Sequence, residues 1–305
     1  MLYGGLTFEY RTGGRMADMA AVGTVSPGDH ACLTFSDAEE RLDLVAAFVR
    51  DGLRHGHKVL CWTDSISPEG LAGELARRSV RPGAALRRGQ LTVAAATDLL
   101  LGTAETSASA MVEVLAGEVE RAGREGYPGL RVTADMCWAT RPLAPADELL
   151  AFETSVAGLF ADDRLCLICQ YDRDRFDAVT LAFAAKAHPK TLAAQVYHEG
   201  VLLRICRQYS PPGVRVAGEL DYRHRDLLEQ ALAESIRLDR HIHVNLAGLD
   251  YIDGACAAAI VQAALRLGSS RRMTVTCRRL VATVLDLVGA GSAPRLRVQQ
   301  AHDEP

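Results

Sequence analysis

A few histidines, cysteines and acids are spaced so that they could do chemistry together. His30 and Cys32 alternate within a short apolar run, so in a strand both side chains lie on one face. With Asp135 they would make a degenerate α/β enzyme acting on a small molecule, because a nucleophilic cysteine needs a neighbouring base. Same-face neighbours in a buried strand are more often core packing, and no G-x-S-x-G elbow is present. We therefore predict no catalytic residue.

Two other patterns have the spacing of metal or redox sites. Cys166 and Cys169 form a C-x-x-C pair, but residues three apart in a strand face opposite sides, which disfavours a shared metal and a dithiol. The redox motif also needs its first cysteine at a helix N-terminus. The remaining pairs are histidines two apart without a second pair of ligands: His55 with His57, and His241 with His243. We expect neither a metal nor a cofactor.

Length and composition limit the class of protein. The chain has 305 residues, enough for two domains, with 49% hydrophobic and 24% charged residues. Its net charge of -4 provides no excess of basic residues for binding nucleic acid. No apolar run reaches the roughly 20 residues that span a bilayer. The start lacks a signal-peptide pattern, and the cysteines are scattered through apolar runs. We predict a cytoplasmic protein with no nucleic-acid or membrane partner.

Between residues 29 and 187, short apolar runs alternate with amphipathic stretches of helical length. The predicted strands are 29–35, 58–63, 91–96, 130–135 and 165–171, and the predicted helices are 38–55, 68–79, 108–125, 145–160 and 176–187. This alternation predicts an α/β fold with a mostly parallel sheet and helices on both faces. We place the domain at residues 25–190 and expect residues 1–24 to be disordered.

A sheet of this kind is similar in shape to that of RecA-like ATPases. Those proteins hold phosphate with the sequence G-x-x-x-x-G-K-[ST], which this chain lacks. Lys58 follows Gly56, but it leads into a predicted strand rather than out of one. The predicted first domain is therefore RecA-like without a P-loop, and we do not expect ATP hydrolysis.

A second, smaller α/β unit follows at residues 202–298, after a connecting segment at 191–201. Its predicted strands are 202–209, 213–217, 241–245 and 273–277, with a short edge strand at 296–298, and its predicted helices are 226–238, 253–267 and 278–288. Residues 299–305 are expected to be a loose tail.

The second unit resembles the STAS domain of anti-sigma factor antagonists. Residues 244–259 read VNLAGLDYIDGACAAA, a buried strand, a polar loop, an acid and a helix of small residues, and residues 218–221 (GELD) resemble the turn before the family's first helix. The resemblance implies that the start of the helix binds an anti-sigma factor kinase or another STAS protein. In the family, phosphorylation of a Ser or Thr just after the acid breaks that contact.

The expected partner-binding residues are Asp253, Gly254 and Ala255, and they depart from the family pattern. The acid is present, but no Ser or Thr occurs from residue 236 to residue 268. The usual phosphorylation switch is therefore absent at the matching position. Asp253 is also expected to cap the helix, which needs no partner.

The first unit resembles the MEDS domain, a sensory module of bacterial regulators. The agreement lies in residues 28–35 (GDHACLTF), Gly52, 56–60 (GHKVL), 135–138 (DMCW) and 169–172 (CQYD). The resemblance implies a sensor, and hydrocarbon derivatives have been proposed as ligands for some members. The candidate ligand-binding residues are His30, Cys32, Asp135, Trp138 and Tyr171, of which the last three would share one rim if their strands are neighbours. The alternative is that the aromatic residues cover the core while Asp135 caps a loop.

Together these features predict a non-enzymatic regulator. The first domain would sense a small molecule, and the STAS-like domain would pass the signal on by exchanging protein partners. Coupling would run through residues 184–200, which join the domains. Two alternatives stay open: the degenerate enzyme described above, and a scaffold whose first domain only dimerises.

Overall fold

The computed structural model describes residues 18–100, 107–141 and 146–301. The strands of its first sheet are β1 (Asp18–Ala20), β2 (His30–Phe35), β3 (Lys58–Thr63), β4 (Leu91–Ala95), β5 (Leu130–Asp135), β6 (Leu165–Asp172) and β7 (Lys190–Leu192). The helices around it are α1 (Ala38–Arg54), α2 (Pro68–Arg77), α3 (Pro82–Arg87), α4 (Ala96–Leu100), α5 (Ala108–Arg124), α6 (Ala146–Ser155) and α7 (Ala178–Ala187). Within these described ranges, none of the helices combines the length and apolar character needed to cross a membrane.

The first sheet has the strand order β1-β7-β2-β6-β5-β3-β4, and all of these pairings are parallel. The central strand β6 lies between β2 and β5, with Asp135 in register beside Gln170. Because the strands run the same way, the carboxyl ends of β2, β3, β5 and β6 meet at one edge, where open α/β sheets bind their ligands. The predicted α/β fold with a parallel sheet is confirmed.

Alternation along β6 sends its side chains into two separate hydrophobic cores. Leu167, Cys169 and Tyr171 pack in the core beneath α5 and α6. Cys166 and Ile168 pack in the other core, beneath α1 and α2. The two cysteines of the C-x-x-C pair therefore face opposite sides of the sheet, as their spacing predicts.

The second sheet is mixed and forms a smaller α/β unit. Its strands are β8 (Val196–Glu199), β9 (Leu203–Tyr209), β10 (Pro212–Leu220), β11 (His241–Leu246), β12 (Leu249–Ile252), β13 (Arg272–Cys277) and β14 (Leu296–Gln300), and its helices are α8 (Arg225–Leu238), α9 (Gly254–Leu265) and α10 (Arg279–Leu287). The order is β14-β13-β11-β10-β9-β8, with β12 also paired to β10. The pairs of β9 with β8 and β10 are antiparallel, and the other pairs are parallel.

The two domains are joined by ion pairs between α1 and the second sheet. Arg204 of β9 donates to both carboxylate oxygens of Glu40, at 2.8 and 2.9 Å. Arg215 of β10 donates to both oxygens of Asp37, at 2.7 and 2.9 Å. Asp37 is also the N-cap of α1, so the start of this helix is bonded directly to the second domain.

Asp43 is the buried centre of the same interface. Its carboxylate accepts the backbone N–H groups of Tyr209, at 2.7 Å, and of Ser210. Arg50 donates to the Tyr209 carbonyl at 2.9 Å and to the Ser210 hydroxyl at 2.7 Å. Burial raises the pKa of Asp43 to about 6, although the two backbone N–H groups oppose this change. The turn between β9 and β10 is therefore held by the first helix of the other domain.

The borders of the domains differ from the sequence-based prediction. Residues 18–24, expected to be disordered, contain β1 and a 3-10 turn, while residues 1–17 lie outside the described residues. The predicted connecting segment 191–201 supplies most of β7 to the first sheet and all of β8 to the second. β14 extends into the predicted loose tail 299–305, of which residues 302–305 are not described. These short strands carry little alternation of their own and form because other strands supply hydrogen-bond partners.

Candidate functional site

Asp135 ends β5 at the carboxyl edge of the first sheet, and its carboxylate is bonded on several sides. Arg41 of α1 donates to one oxygen at 2.7 Å, and the backbone N–H and the hydroxyl of Ser65 donate to the same oxygen at 2.9 and 2.5 Å. The Cys137 N–H donates to the other oxygen at 3.1 Å. Arg41 also donates to Gln170 at 2.6 Å. Burial works to raise the pKa of Asp135, but Arg41 and the hydrogen bonds outweigh it and lower the pKa to about 2. With these partners Asp135 is ionised and holds Arg41 and Ser65 in place, and it is not suited to accept a proton.

A second polar cluster lies in the core beneath α6, on the opposite face of the sheet. One carboxylate oxygen of Glu153 is 3.2 Å from Nε2 of His30 and 3.2 Å from Nε2 of His188. Sγ of Cys169 is 3.5 Å from Nε2 of His30 and 3.7 Å from the same Glu153 oxygen. The other Glu153 oxygen accepts the hydroxyl of Tyr171. Five side chains from four separate segments of the chain thus converge in a buried place.

Burial and the shared carboxylate govern the protonation of this cluster. Burial raises the pKa of the Cys169 thiol and of the Tyr171 hydroxyl well above their usual ranges, and it lowers the pKa of His30. Burial also works to raise the pKa of Glu153, but the two histidines hold it well below its usual range. Conversely, burial works to lower the pKa of His188, but Glu153 raises it. Glu153 is therefore the negative member of the cluster.

The five predicted ligand-binding residues are divided between the two faces of the sheet. His30, Cys32 and Tyr171 lie on the face beneath α6, and Trp138 packs in the same core. Asp135 lies on the opposite face, because alternation along the in-register strands β5 and β6 directs it and Tyr171 to opposite sides. The expected cluster of Asp135, Trp138 and Tyr171 at one rim is not formed. For the same reason His30, Cys32 and Asp135, the residues of the alternative enzyme, do not converge.

Glu153 and His188 are the members of the buried cluster that sequence reasoning missed. Glu153 lies in the segment LLAFETSV, where an acid interrupts an apolar helix, and His188 precedes a proline directly after α7. A buried acid needs a partner, and that is the signal the sequence offered. It did not identify the partner, because His188 is 35 residues further along the chain.

In the second domain, Asp253 organises the start of α9. One carboxylate oxygen accepts the N–H of Cys256 at 2.8 Å, which caps the helix as the sequence predicts. The other oxygen accepts the N–H of Tyr222 at 2.6 Å. Asp253 therefore joins the start of α9 to the 3-10 turn Tyr222–His224.

Exposed apolar side chains lie on the elements that adjoin α9. Tyr222 is 69% exposed, Tyr251 is 50% exposed and Leu280 of α10 is 67% exposed. α9 contacts the 3-10 turn that carries Tyr222 and the helix α10 that carries Leu280, and α10 also packs against β12, which carries Tyr251. Gly254 is exposed, and a Cβ atom added to it would contact nothing within 4 Å. We define the docking surface as Tyr222, Tyr251, Gly254, Ala255 and Leu280.

Comparison with known families identifies both parts of the chain. The MEDS family model, described as the MEthanogen/methylotroph, DcmR Sensory domain, matches residues 29–189. A STAS family model, described as the Mlab, STAS domain, matches residues 204–295. Both resemblances recognised in the sequence are confirmed, in the same order along the chain.

Similar solved structures come from archaea. A KaiC-like protein from Pyrococcus horikoshii OT3 is 9% identical, with a TM-score of 0.46, and the match covers 64% of this chain and 86% of that protein. The flagellar accessory protein FlaH from Methanocaldococcus jannaschii is 10% identical, with a TM-score of 0.40 and the same coverage, 64% and 86%. No curated protein sequence matches the chain.

Proposed function

The chain belongs to the MEDS family of sensory domains, with a STAS domain behind it, and from this premise we propose how its signalling role is carried out. The N-terminal domain senses a small molecule, and the STAS domain passes the signal on by exchanging protein partners. The partner is an anti-sigma factor kinase or another STAS protein. Neither step requires catalysis, so we propose that the chain is not an enzyme.

The observation that carries this proposal is the docking surface at the start of α9. Asp253 uses both carboxylate oxygens to fix the helix start and the neighbouring turn, so the surface is held in one shape. Two tyrosines and a leucine lie exposed on the elements that adjoin α9, and aromatic side chains of this kind are enriched where proteins bind one another. Asp253 acts here as a positioning residue, while Gly254 and Ala255 present the open surface.

The docking surface cannot be switched off by phosphate at the family's usual position. The residues after Asp253 are Gly254 and Ala255, neither of which carries a hydroxyl group. A phosphate there would add nearly two negative charges beside the partner. We propose instead that partner release is controlled by the N-terminal domain.

Two connections can carry a signal from the first domain to the docking surface. One is the segment 184–200, which contributes β7 to the first sheet and β8 to the second. The other is β10, whose first residues are held at the interface by the turn bonded to Asp43, and whose last residue, Leu220, accepts the N–H of Asp253 at 3.2 Å. A shift of α1 would therefore act on one end of β10, and the docking surface lies at its other end.

The core beneath α6 offers a donor to a small ligand. Trp138 is fully buried, and its indole N–H has no hydrogen-bond partner within the described ranges. A buried unpaired donor costs free energy. A ligand that brings an acceptor oxygen to Trp138 would recover that cost, and Cys32 and Tyr171 lie in the same core. This supports a small molecule with an apolar body and a polar oxygen.

The test is co-purification of the tagged full-length chain from its own cells, with the bound proteins identified by mass spectrometry. Gly254→Glu places a negative charge on the docking surface, in the position that a phosphate would occupy in the family. Gly268→Glu is the matched control, since Gly268 follows the other end of α9, is exposed, and has nothing within 4 Å of an added Cβ atom.

We expect the wild-type chain and the Gly268→Glu variant to retain an anti-sigma factor kinase or a STAS protein, and the Gly254→Glu variant to lose it. An acid at the start of a helix is compatible with folding, so this loss would report docking. Equal retention by both variants would remove the docking surface from the proposal. A preparation with no such partner would argue against partner exchange and favour the small-molecule enzyme.

A further inference from the structure

The side chains of His30, Glu153, Cys169 and His188 bring two nitrogens, a sulfur and an oxygen together inside the first domain. One atom from each residue lies within 4.8 Å of the atoms of the others. These are the atoms that bind zinc in proteins. Zinc lies about 2.0–2.2 Å from nitrogen and oxygen and about 2.3 Å from sulfur, in a tetrahedron. In such a tetrahedron, nitrogen and oxygen ligands are about 3.3 Å apart, and sulfur is about 3.6 Å from each.

Four of the six separations between the ligand atoms match the edges of that tetrahedron, and the other two are within 4.8 Å. The Glu153 oxygen is 3.2 Å from Nε2 of His30 and 3.2 Å from Nε2 of His188. Sγ of Cys169 is 3.5 Å from Nε2 of His30 and 3.7 Å from the Glu153 oxygen. The oxygen has the expected spacing to both nitrogens and to the sulfur, and the sulfur has it to the oxygen and to Nε2 of His30.

The ring of His188 is fixed with its other nitrogen pointing into the cluster. Nδ1 lies 2.7 Å from the carbonyl oxygen of Ala184. A carbonyl only accepts hydrogen bonds, so Nδ1 carries the proton and donates. Nε2 is buried and lies 3.2 Å from the Glu153 oxygen, without the geometry of a hydrogen bond to any group in the described ranges. Zinc-binding histidines are typically oriented by a backbone carbonyl in this way, with the other nitrogen left free for the metal.

The other ligands are supported by their neighbours in a similar manner. The second oxygen of Glu153 accepts the hydroxyl of Tyr171, and the ring of Phe160 stacks on His30 with the ring centres 4.9 Å apart. All four ligand residues are at most 5% exposed. A divalent cation with two neutral histidines, one carboxylate and one thiolate is electrically neutral, which is the arrangement that a buried site favours.

We propose that His30, Glu153, Cys169 and His188 form a closed binding site for one Zn²⁺ ion. Four protein ligands leave no open position, which is typical of a structural rather than a catalytic zinc. Binding converts the Cys169 thiol to a thiolate, and its proton is released to the solvent. The mixed nitrogen, sulfur and oxygen ligands favour zinc over Mg²⁺ or Ca²⁺, which prefer oxygen alone.

The position of the site gives the metal a role in the link between the domains. His188 lies between α7 and β7, at the start of the chain segment that continues into β8 of the second sheet. Zinc would tie this residue to β2, α6 and β6, so the connecting segment would begin from a fixed point. The site lies within the first domain and does not depend on which partner the second domain binds.

The test is the metal content and metal affinity of the full-length chain. Protein purified without chelators is analysed by mass spectrometry for zinc, then stripped and titrated with Zn²⁺ and with Co²⁺, whose absorption reports thiolate ligation. Cys169→Ser removes one ligand. Cys166→Ser is the matched control, because it changes an equally buried cysteine of the same strand on the opposite face.

We expect about one equivalent of zinc in the wild type and in Cys166→Ser. Cys169→Ser should bind at least about tenfold more weakly and lose the thiolate-to-cobalt absorption band. The proposal is overturned if the wild type binds no zinc, which would leave the cluster as a buried ion pair, or if Cys169→Ser binds as tightly as Cys166→Ser. If Cys169→Ser does not fold, the cobalt spectrum of the wild type decides, since a spectrum without the thiolate band excludes Cys169 as a ligand.

Discussion

At the scale of single residues, the first domain buries two carboxylates whose surroundings differ. Asp135 has an arginine, a hydroxyl and backbone N–H groups as partners. Glu153 faces two histidines and a thiol, and Nε2 of His188 lies close to it without the geometry of a hydrogen bond to any group in the part of the chain described. The first arrangement is complete without any other molecule. The second has the atoms and spacing of a site that a cation would complete.

The pair of Asp135 with Arg41 predicts a large loss of stability when the carboxylate is removed. Asp135→Asn leaves Arg41, which is 6% exposed, without its counter-charge, and such a change costs about 3–5 kcal/mol. The measurement is the free energy of unfolding in denaturant at neutral pH. Asp162→Asn is the control, because Asp162 pairs with Arg164 on the surface and should contribute less than about 1 kcal/mol. Equal effects of the two substitutions would contradict the anchoring role.

The same carboxylate predicts how this difference varies with pH. Its pKa is lowered from 3.8 to about 2 in the folded protein. A depressed carboxylate pKa stabilises the folded state above the unfolded pKa, and this stabilisation is lost as the pH falls towards the folded pKa. We therefore expect the difference in unfolding free energy between the wild type and Asp135→Asn to be constant above about pH 4. This difference should decrease between about pH 4 and pH 2.

At the scale of elements, the sequence predicts best the segments that carry their own boundary signals. Asp37 caps α1, and the predicted helix 38–55 differs from the observed one by a single residue. The strands 58–63 and 130–135 are predicted at their observed bounds because each is a buried run between turns. By contrast, β1, β7 and β12 have three or four residues and carry no periodicity, so they depend on partners that local sequence does not reveal.

The same distinction applies to the candidate sites. Alternation alone places His30 and Cys32 on one face of β2, and a single cap residue identifies Asp253 at the start of α9. The meeting of His30 with Glu153 and His188 depends on the strand order β7-β2-β6 and on the helix packed over it. Strand order is a property of the whole sheet, so no local pattern predicts which residues it brings together.

The start of α9 gives a prediction that separates helix capping from docking. Asp253→Ala removes the acceptor of the Cys256 N–H, which costs about 1 kcal/mol. Asp253→Ser restores a cap through its hydroxyl, but one oxygen cannot also accept the Tyr222 N–H. We expect the unfolding free energy to fall more in the alanine variant than in the serine variant, and co-purification of the partner to weaken in both. A serine variant that binds its partner normally would show that the turn at Tyr222 is not needed for docking.

At the scale of the whole molecule, the interface between the domains is held mainly by charged groups of α1. Asp37, Glu40 and Asp43 face arginines and backbone N–H groups of the second domain. Interfaces of this polar type are adjustable, because each contact can be exchanged for water at a small net cost. Such an interface suits a regulator whose domains must respond to one another, provided that its central carboxylate stays in place.

Asp43 makes this interface sensitive to pH, and the direction follows from its burial. Burial raises its pKa from 3.8 to about 6, against the opposing effect of the Tyr209 and Ser210 N–H groups and of Arg78 and Arg50. The folded protein therefore holds this proton more tightly than the unfolded chain, so the stability that Asp43 contributes is complete below about pH 4 and is lost as the pH rises to about 6.

This predicts that the unfolding free energy of the wild type decreases between about pH 4 and pH 6 relative to that of Asp43→Asn, which has no proton to lose. The measurement is denaturant unfolding of both full-length proteins across that range, and because the difference is taken between two chains, the other titrating groups cancel. Parallel curves would mean that the pKa of Asp43 is not raised in the folded protein, because its hydrogen bonds and the nearby arginines offset its burial. If the free-energy difference falls as predicted, Asp43 holds a proton in the folded protein below about pH 6. Asp43 lies at the contact through which we propose that the first domain acts on the docking surface.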